Sequence, residues 1–151
     1  MQKAFQSMLL GLTYLLLTAG SAHAQTADDR EAIKQTALDY IEGYYEGNAE
    51  RMERSLHPDL AKRIVRTDQS TGKNKLENMT AARLVQATQM RQGRPTPKDK
   101  QQKDVTILDV FENAGTVKIV AADWIDYLHV SKFDGRWVIV NVLWEMKPVK
   151  K

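Results

Sequence analysis

Residues 131–144, SKFDGRWVIVNVLW, place an Asp-Gly pair between two runs of β-branched and aromatic residues. Asp-Gly between such runs predicts a tight β-hairpin, because both turn residues readily adopt positive φ. A two-residue turn fixes the register of the hairpin. The predicted pairs are Lys132 with Trp137 and Val130 with Ile139 on one face, and His129 with Val140 and Tyr127 with Val142 on the other.

The strand after this turn carries apolar side chains on both faces. Successive side chains of a strand point to opposite faces, so a strand covered on one side alternates apolar with polar residues. Here Val138, Val140, Val142 and Trp144 share one face, and Trp137, Ile139 and Leu143 share the other. We therefore expect helices of the chain to cover one face and a second copy of the chain to cover the other, which predicts a homodimer.

The rest of the chain predicts helices followed by strands. Apolar residues at helical spacing indicate a first helix from Asp28, capped by Asp28 with Glu31 and ended by Gly47. Asn48 caps a short second helix that His57-Pro58 ends. Two short strands, a third helix within TAARLVQATQM, a polar loop and three long strand runs, VTILDVFE, TVKIVAADWIDYLHVSKF and RWVIVNVLWEMK, follow. This order predicts an α+β domain with helices packed on one face of an antiparallel sheet.

Residues 1–24 are typical of a secretory signal peptide. Lys3 supplies a positive charge, an apolar stretch follows, and Ala22-His23-Ala24 is a small-x-small cleavage site. The chain contains no cysteine, which excludes disulfides. We predict one exported domain, residues 25–151, in the periplasm or secreted, with no membrane attachment after cleavage.

The charges are unevenly distributed. Residues 62–104 hold eleven basic and four acidic side chains, whereas residues 25–61 hold nine acidic and four basic ones. The basic residues of the loop at 91–104 lack neighbouring aromatic residues that could stack on bases, so we do not expect nucleic-acid binding. Whether this loop is a lid or a solvated segment stays open.

Two segments carry a resemblance to a known superfamily. ALDYIEGYYEGNAERMERSLHPDLAKR and, some seventy residues later, DGRWVIVNVLWE resemble the nuclear transport factor 2-like superfamily, and within it the branch named putative lumazine-binding. The resemblance implies a cone-shaped, curved antiparallel sheet wrapped around the N-terminal helices, with a pocket at its open end and dimerisation through the sheet.

Comparison with the ketosteroid isomerases of this superfamily gives a partial match. The resemblance implies that Tyr40 corresponds to the tyrosine that donates to a substrate oxygen, and that His129 stands where a protonated acid is expected. The position of the aspartic base falls near Ile64, where this chain has no carboxylate. Proton abstraction next to a carbonyl needs a group that accepts the proton, so the resemblance does not extend to that reaction.

The predicted sites follow from the register and this comparison. The expected pocket residues are Tyr40, Tyr44, Asp123, Tyr127, His129, Val140 and Trp144. The expected dimer face consists of Leu128, Val130, Trp137, Ile139 and Leu143. Asp126 is interpreted as a residue of the dimer face or of an edge, because Asp123 and Asp126, three apart on one strand, would face opposite sides.

Three functions remain open at this stage. The first is binding of a small, flat molecule without catalysis. The second is a lyase, isomerase or hydrolase that acts through His129 and Tyr40, and the third is a structural or partner-binding module. We expect no cofactor and no metal, since His57 has no clustered His or Cys partners and fits its role at the end of a helix.

Overall fold

The computed structural model describes residues 21–148. The predicted signal peptide lies outside them, apart from residues 21–24 at the start of the first helix. The helices are α1 (Ser21–Glu46), α2 (Ala49–Ser55) and α3 (Ala81–Gln89), with a short 3-10 helix at Lys98–Lys100. The strands are β1 (Leu56–Thr67), β2 (Asn74–Thr80), β3 (Lys103–Phe111), β4 (Ala114–Ala121), β5 (Trp124–Phe133) and β6 (Arg136–Met146). Within residues 21–148, none of the helices has the length and apolar character that crossing a membrane requires.

The strands form one curved, unclosed sheet in the order β2-β1-β6-β5-β4-β3. All neighbouring pairs are antiparallel except β1 with β6, which is parallel. The sheet is therefore mixed, and the predicted antiparallel arrangement does not extend to this pair. The class, α+β with helices against one face of the sheet, is confirmed, since α1 packs on β3, β4 and β6 and α3 packs on β1 and β2.

The helix α1 ends where the sequence predicts and begins earlier. Gly47 ends it with a φ of 68°, and a Cβ at this position would lie 2.6 Å from the carbonyl carbon of Arg91. Both the left-handed conformation and the close backbone contact require glycine there. The predicted N-terminal cap at Asp28 is wrong, because the helix already includes the preceding turns.

Side-chain caps define the starts of α2 and α3. Asn48 Oδ1 accepts a hydrogen bond from Arg51 N at 3.0 Å, as predicted for the second helix. Thr80 Oγ1 accepts from Arg83 N at 3.3 Å and caps α3. The helix α2 ends at Ser55, and Pro58 lies within β1 rather than at the end of the helix.

The hairpin between β5 and β6 contains a bulge that the sequence analysis did not anticipate. Asp134 and Gly135 both have positive φ, as predicted, and the pairs Lys132–Trp137 and Val130–Ile139 form. The register then shifts between His129 and Val130, so His129 pairs with Asn141. Val140 is the additional residue of the bulge, so Trp137 and Ile139 before it share the helix-facing side with Val142 and Trp144 after it, which unbroken alternation would have placed on the opposite side.

This bulge explains why β6 seemed apolar on both faces. The buried residues Trp137 and Ile139 before the bulge continue into Val142 and Trp144 after it, on the same helix-facing side. The apolar residues on both faces of β6 therefore no longer require a second subunit as cover, because one buried row of side chains passes from odd to even residue numbers at the bulge.

The predicted dimer face requires a correction. Leu128, Val130, Trp137 and Ile139 are 0–2% exposed in the single chain and belong to its core. Trp137 Nε1 donates to Asp29 Oδ1 at 2.9 Å, which fixes it against α1. Only Leu143 is available to a partner, with 49% of its surface exposed.

The run TVKIVAADWIDYLHVSKF, interpreted as one strand run, forms two strands. A bend at Ala122-Asp123 separates β4 from β5, and the two strands pair antiparallel. Asp123 therefore lies in a turn, so the alternation rule does not relate it to Asp126.

Candidate functional site

A cavity of about 290 Å³ lies between the helices and the concave side of the sheet. Cavities that hold small ligands measure roughly 300 to 1,000 Å³, so this one suits a small molecule. Aromatic rings and methionines dominate its wall, with a few polar groups. The lining residues are Tyr40, Tyr44, Met52, Lys62, Met79, Leu84, Ala87, Asp123, Trp124, Trp144 and Met146.

Lys62 is the buried cation of the cavity wall. It lies on β1 between Leu60 and Ile64, and all three point to the core because they are two residues apart. Only 6% of Lys62 is exposed. Its Nζ donates to Asp126 Oδ1 and to Tyr40 Oη, both at 2.6 Å. An ammonium has three N–H groups, so one more donor is available for a further acceptor.

Asp126 is the counterion of Lys62 and has no exposed surface. Its Oδ2 accepts a hydrogen bond from Trp124 Nε1 at 2.6 Å. The carboxylate is therefore held from two sides, by an ammonium and by an indole N–H. A buried charge is tolerated when it is paired and hydrogen-bonded in this way.

Burial shifts the pKa values of Lys62 and Tyr40. It lowers the pKa of the Lys62 ammonium, although the Asp126 carboxylate acts in the opposite direction. It also raises the pKa of the Tyr40 phenol well above its ordinary value, and the negative charge of Asp126 adds to this effect. Tyr40 therefore keeps its proton at neutral pH, and its O–H is a potential donor to a bound molecule.

Two aromatic contacts shape the cavity. Lys62 Nζ lies 4.7 Å from the centroid of the Trp144 ring, within the range of a cation–π contact. The rings of Tyr44 and Trp124 meet edge to face, with centroids 5.5 Å apart. The polar group of Lys62 is thus bordered by flat apolar surfaces, an arrangement that fits a flat ligand with one polar edge.

A network of ion pairs fixes the helices around this cavity. Arg51 Nε donates to Asp39 Oδ1 at 2.8 Å, and Arg54 Nε donates to Asp39 Oδ2 at 2.8 Å. Arg51 also pairs with Glu42, which in turn pairs with Lys103 of β3. These contacts connect α1, α2 and β3, so they hold Tyr40, one residue beyond Asp39, in place.

The structure brings four of the seven predicted pocket residues together. Tyr40, Tyr44, Asp123 and Trp144 all line the cavity.

The other three do not line the cavity. Tyr127 and His129 are exposed on the outer face of the sheet, and Val140 lies at the bulge. The His129 Nδ1 atom is 3.3 Å from Asn141 Nδ2 on that outer face. The alternative of an enzyme acting through His129 inside the cavity is therefore wrong in its geometry, because Leu128 and Val130 face the core and His129, between them on β5, faces outward.

Sequence reasoning missed Lys62 and misplaced Asp126. The signal for Lys62 was present, since Leu60 and Ile64 flank it at the spacing of one strand face. The signal for Asp126 was its place on the face of Leu128 and Val130, which was assigned to the dimer contact instead. A buried lysine and a buried aspartate on two strands predict an ion pair, because neither charge is tolerated alone.

Among residues 21–148, no three His, Asp or Glu side chains are arranged to hold a metal ion. His57 instead makes a local contact, in which its Nδ1 accepts a hydrogen bond from Asp59 N at 3.1 Å.

Comparison with known proteins places this geometry in a family. The family model described as putative lumazine-binding matches residues 28–145. No curated protein matches the chain.

Solved structures of low sequence identity share the fold. A nuclear transport factor 2-like protein of unknown function from Shewanella baltica superposes with a TM-score of 0.66 at 19% identity, covering 82% of this chain and 97% of that one. A protein of the same description from Methylobacillus flagellatus gives 0.63 at 20% identity, covering 80% and 94%.

A third structure, described as a putative scytalone dehydratase from Novosphingobium aromaticivorans, gives a TM-score of 0.58 at 14% identity, with 83% and 89% covered. The family match spans most of the chain, and the structural matches share its fold. The chain therefore belongs to the family described as putative lumazine-binding, and it shares the fold of the nuclear transport factor 2-like proteins.

Proposed function

We propose that this protein is an exported domain that binds a small, flat molecule in the cavity between its helices and its sheet, without catalysing a reaction. The observation that carries the proposal is the cavity itself, in which Lys62 and Tyr40 offer hydrogen-bond donors among aromatic walls. Export rests on the signal-peptide pattern of residues 1–24.

The apolar walls favour a flat ligand. Trp144, Tyr44 and Trp124 present ring surfaces, while Met79 and Met146 supply adaptable thioether side chains. Such walls gain most from a molecule with an extended π-surface, since ring faces and edges pack favourably on each other.

The charge balance of the polar end favours a neutral acceptor over an anion. The Lys62 ammonium is already neutralised by Asp126 at 2.6 Å. A buried anion from a ligand would therefore leave one negative charge without its own counterion, which is costly in a low-dielectric site. A carbonyl oxygen can accept from Lys62 or Tyr40 without adding charge. The family description names lumazine, a flat heterocycle with carbonyl groups, which agrees with this ligand class.

Two matched pairs of variants test the proposal. Ala87 of α3 lines the cavity, whereas Ala82 of the same helix is exposed, so Ala87→Phe fills the cavity and Ala82→Phe does not. Tyr40→Phe removes a donor of the cavity, whereas Tyr127→Phe removes a hydroxyl from the outer face.

The measurement is calorimetric or fluorescence titration with lumazine and with 2-naphthamide, two flat carbonyl compounds. We expect at least one of them to bind the wild-type chain, with binding lost in Ala87→Phe, weakened in Tyr40→Phe and retained in both outer controls. Absence of binding by both compounds, or equal binding by Ala87→Phe and wild type, would contradict the proposal.

A further inference from the structure

We propose that Lys62 is a covalent attachment site, at which the cavity captures small aldehydes as a Schiff base with Asp126 as the counterion. This inference rests on the proposed function, because the aldehyde must first enter the same cavity. It adds a chemical class, reactive aromatic or conjugated aldehydes, that non-covalent binding alone does not select.

The position of Lys62 supports this proposal. Its Nζ is part of the cavity wall, and 7% of the side chain is accessible. After Nζ gives one proton to Asp126, rotation about the Cε–Nζ bond can turn the freed lone pair away from Asp126 and Tyr40 toward a carbonyl carbon in the cavity. Burial also favours the uncharged amine, which is the form that attacks a carbonyl.

Asp126 supplies what a Schiff base requires, a proton acceptor that later becomes a counterion. Its Oδ1 is 2.6 Å from Nζ, within direct proton-transfer distance. Trp124 Nε1 holds the other oxygen, so the carboxylate keeps its orientation during the reaction. The protonated imine carries the same charge as the ammonium that it replaces. The buried ion pair is therefore preserved, and attachment adds no uncompensated charge to the core.

The reaction balances without an added reagent. The Lys62 ammonium transfers one proton to Asp126, and the amine lone pair then forms a bond to the carbonyl carbon while the C=O π-electrons move to oxygen. A proton passes from nitrogen to that oxygen to give the carbinolamine. Asp126 then protonates the hydroxyl, water leaves, and the nitrogen lone pair forms the C=N bond. In sum, R–CHO and Lys–NH₃⁺ give Lys–NH⁺=CHR and H₂O, with Asp126 again a carboxylate.

The test traps this imine on the full chain. The wild-type protein is incubated with 2-naphthaldehyde and cyanoborohydride, which reduces an imine to a stable secondary amine, and peptide mass mapping locates the label. Exposed Lys34 and Lys75 serve as internal controls. We expect Lys62 to be labelled before both of them, and excess 2-naphthamide to slow the labelling of Lys62 only.

Lys62→Arg provides a second control, because the guanidinium keeps the positive charge beside Asp126 and forms no such imine. We expect this variant to lose the early label and to retain slow labelling of exposed lysines. If the variant does not fold, the order in which Lys62, Lys34 and Lys75 are labelled in the wild-type chain still decides whether Lys62 is the attachment site.

Each result has one meaning. Labelling confined to exposed lysines, with 2-naphthamide bound in the cavity, overturns the covalent site and leaves the binding function standing. If lumazine and 2-naphthamide fail to bind and Lys62 stays unlabelled, both proposals fail. Early labelling of Lys62 that is not slowed by an excess of whichever compound, lumazine or 2-naphthamide, binds the wild-type chain overturns capture within the cavity.

Discussion

Replacing Asp126 by Asn tests the electrostatic logic of the cavity wall. The substitution keeps the shape and an acceptor for Trp124 Nε1 but removes the counterion 2.6 Å from Lys62. At an effective dielectric constant of about 20, that attraction amounts to roughly 6 kcal/mol. The variant can avoid a buried, unpaired ammonium by releasing the proton of Lys62, and this release sets an upper limit to the loss of stability.

The limit follows from the ordinary pKa of lysine, 10.5. Keeping Lys62 neutral in the folded state costs about 1.4 kcal/mol for each pH unit below that value, hence about 5 kcal/mol at pH 7 and about 2 kcal/mol at pH 9. The unfolded chain then binds one proton more than the folded chain, so the stability of Asp126→Asn relative to wild type must rise with pH. We expect a loss of about 3 to 5 kcal/mol at pH 7, in the range known for breaking one half of a buried ion pair.

The assay is urea denaturation of wild type and Asp126→Asn at pH 7 and at pH 9. Asp59→Asn is the matched control, because the Asp59 side chain is 93% exposed. The double variant Lys62→Met with Asp126→Asn should recover most of the lost stability, since no charge remains buried. A loss below about 1 kcal/mol at pH 7, or a loss that does not shrink at pH 9, would refute the reasoning.

Three further predictions concern acid stability, assembly and export. Burial acts to raise the pKa of the Asp39 carboxyl group, but hydrogen bonds from two arginines of α2 lower it further than burial raises it. The stability that the Asp39 carboxylate contributes is therefore complete above its unfolded pKa of 3.8 and is lost as the pH falls through the lower folded pKa. Asp39→Asn should thus cost about 1 to 3 kcal/mol at pH 7 in urea denaturation and make stability less sensitive to pH below 4, and an unchanged acid profile would contradict this. The homodimer stays a prediction, and half-exposed Leu143 marks the outer face of the sheet as its contact surface. In sedimentation, Leu143→Lys should be a monomer, and the control Leu76→Lys, on β2, should be a dimer. A Leu143→Lys protein that remains dimeric would exclude this face. Export with cleavage of the signal peptide predicts a protein that begins at Gln25 in N-terminal sequencing, and an intact N-terminus would disprove cleavage.

Local signals predicted much of the fold. Gly47 readily adopts the left-handed backbone that ends a helix, and Asp134-Gly135 readily forms a tight turn. Both boundaries therefore follow from the conformational preferences of these residues. The number and order of the helices follow equally from apolar spacing. Nothing local specifies the parallel pairing of β1 with β6, because it joins segments far apart in the chain.

The candidate site was harder to predict, because one residue decides which face of a strand is buried. The bulge at Val140 has no distinct sequence signal, yet it reverses the sides of all residues that follow it. Unbroken alternation would place His129 on the same face as Trp144, but with the bulge between their pairing positions Trp144 lines the cavity and His129 lies on the outer face. Asp126 was assigned to the correct strand face but to the wrong surroundings, since its partner, Lys62, comes from a strand 64 residues away.

Native mass spectrometry of the protein isolated from its own cells tests most directly whether the cavity is a binding site. The account predicts a wild-type population that carries one additional small mass, which is absent from Ala87→Phe and retained in Ala82→Phe. The bare chain mass in all three proteins, or an adduct that Ala87→Phe retains, would contradict it.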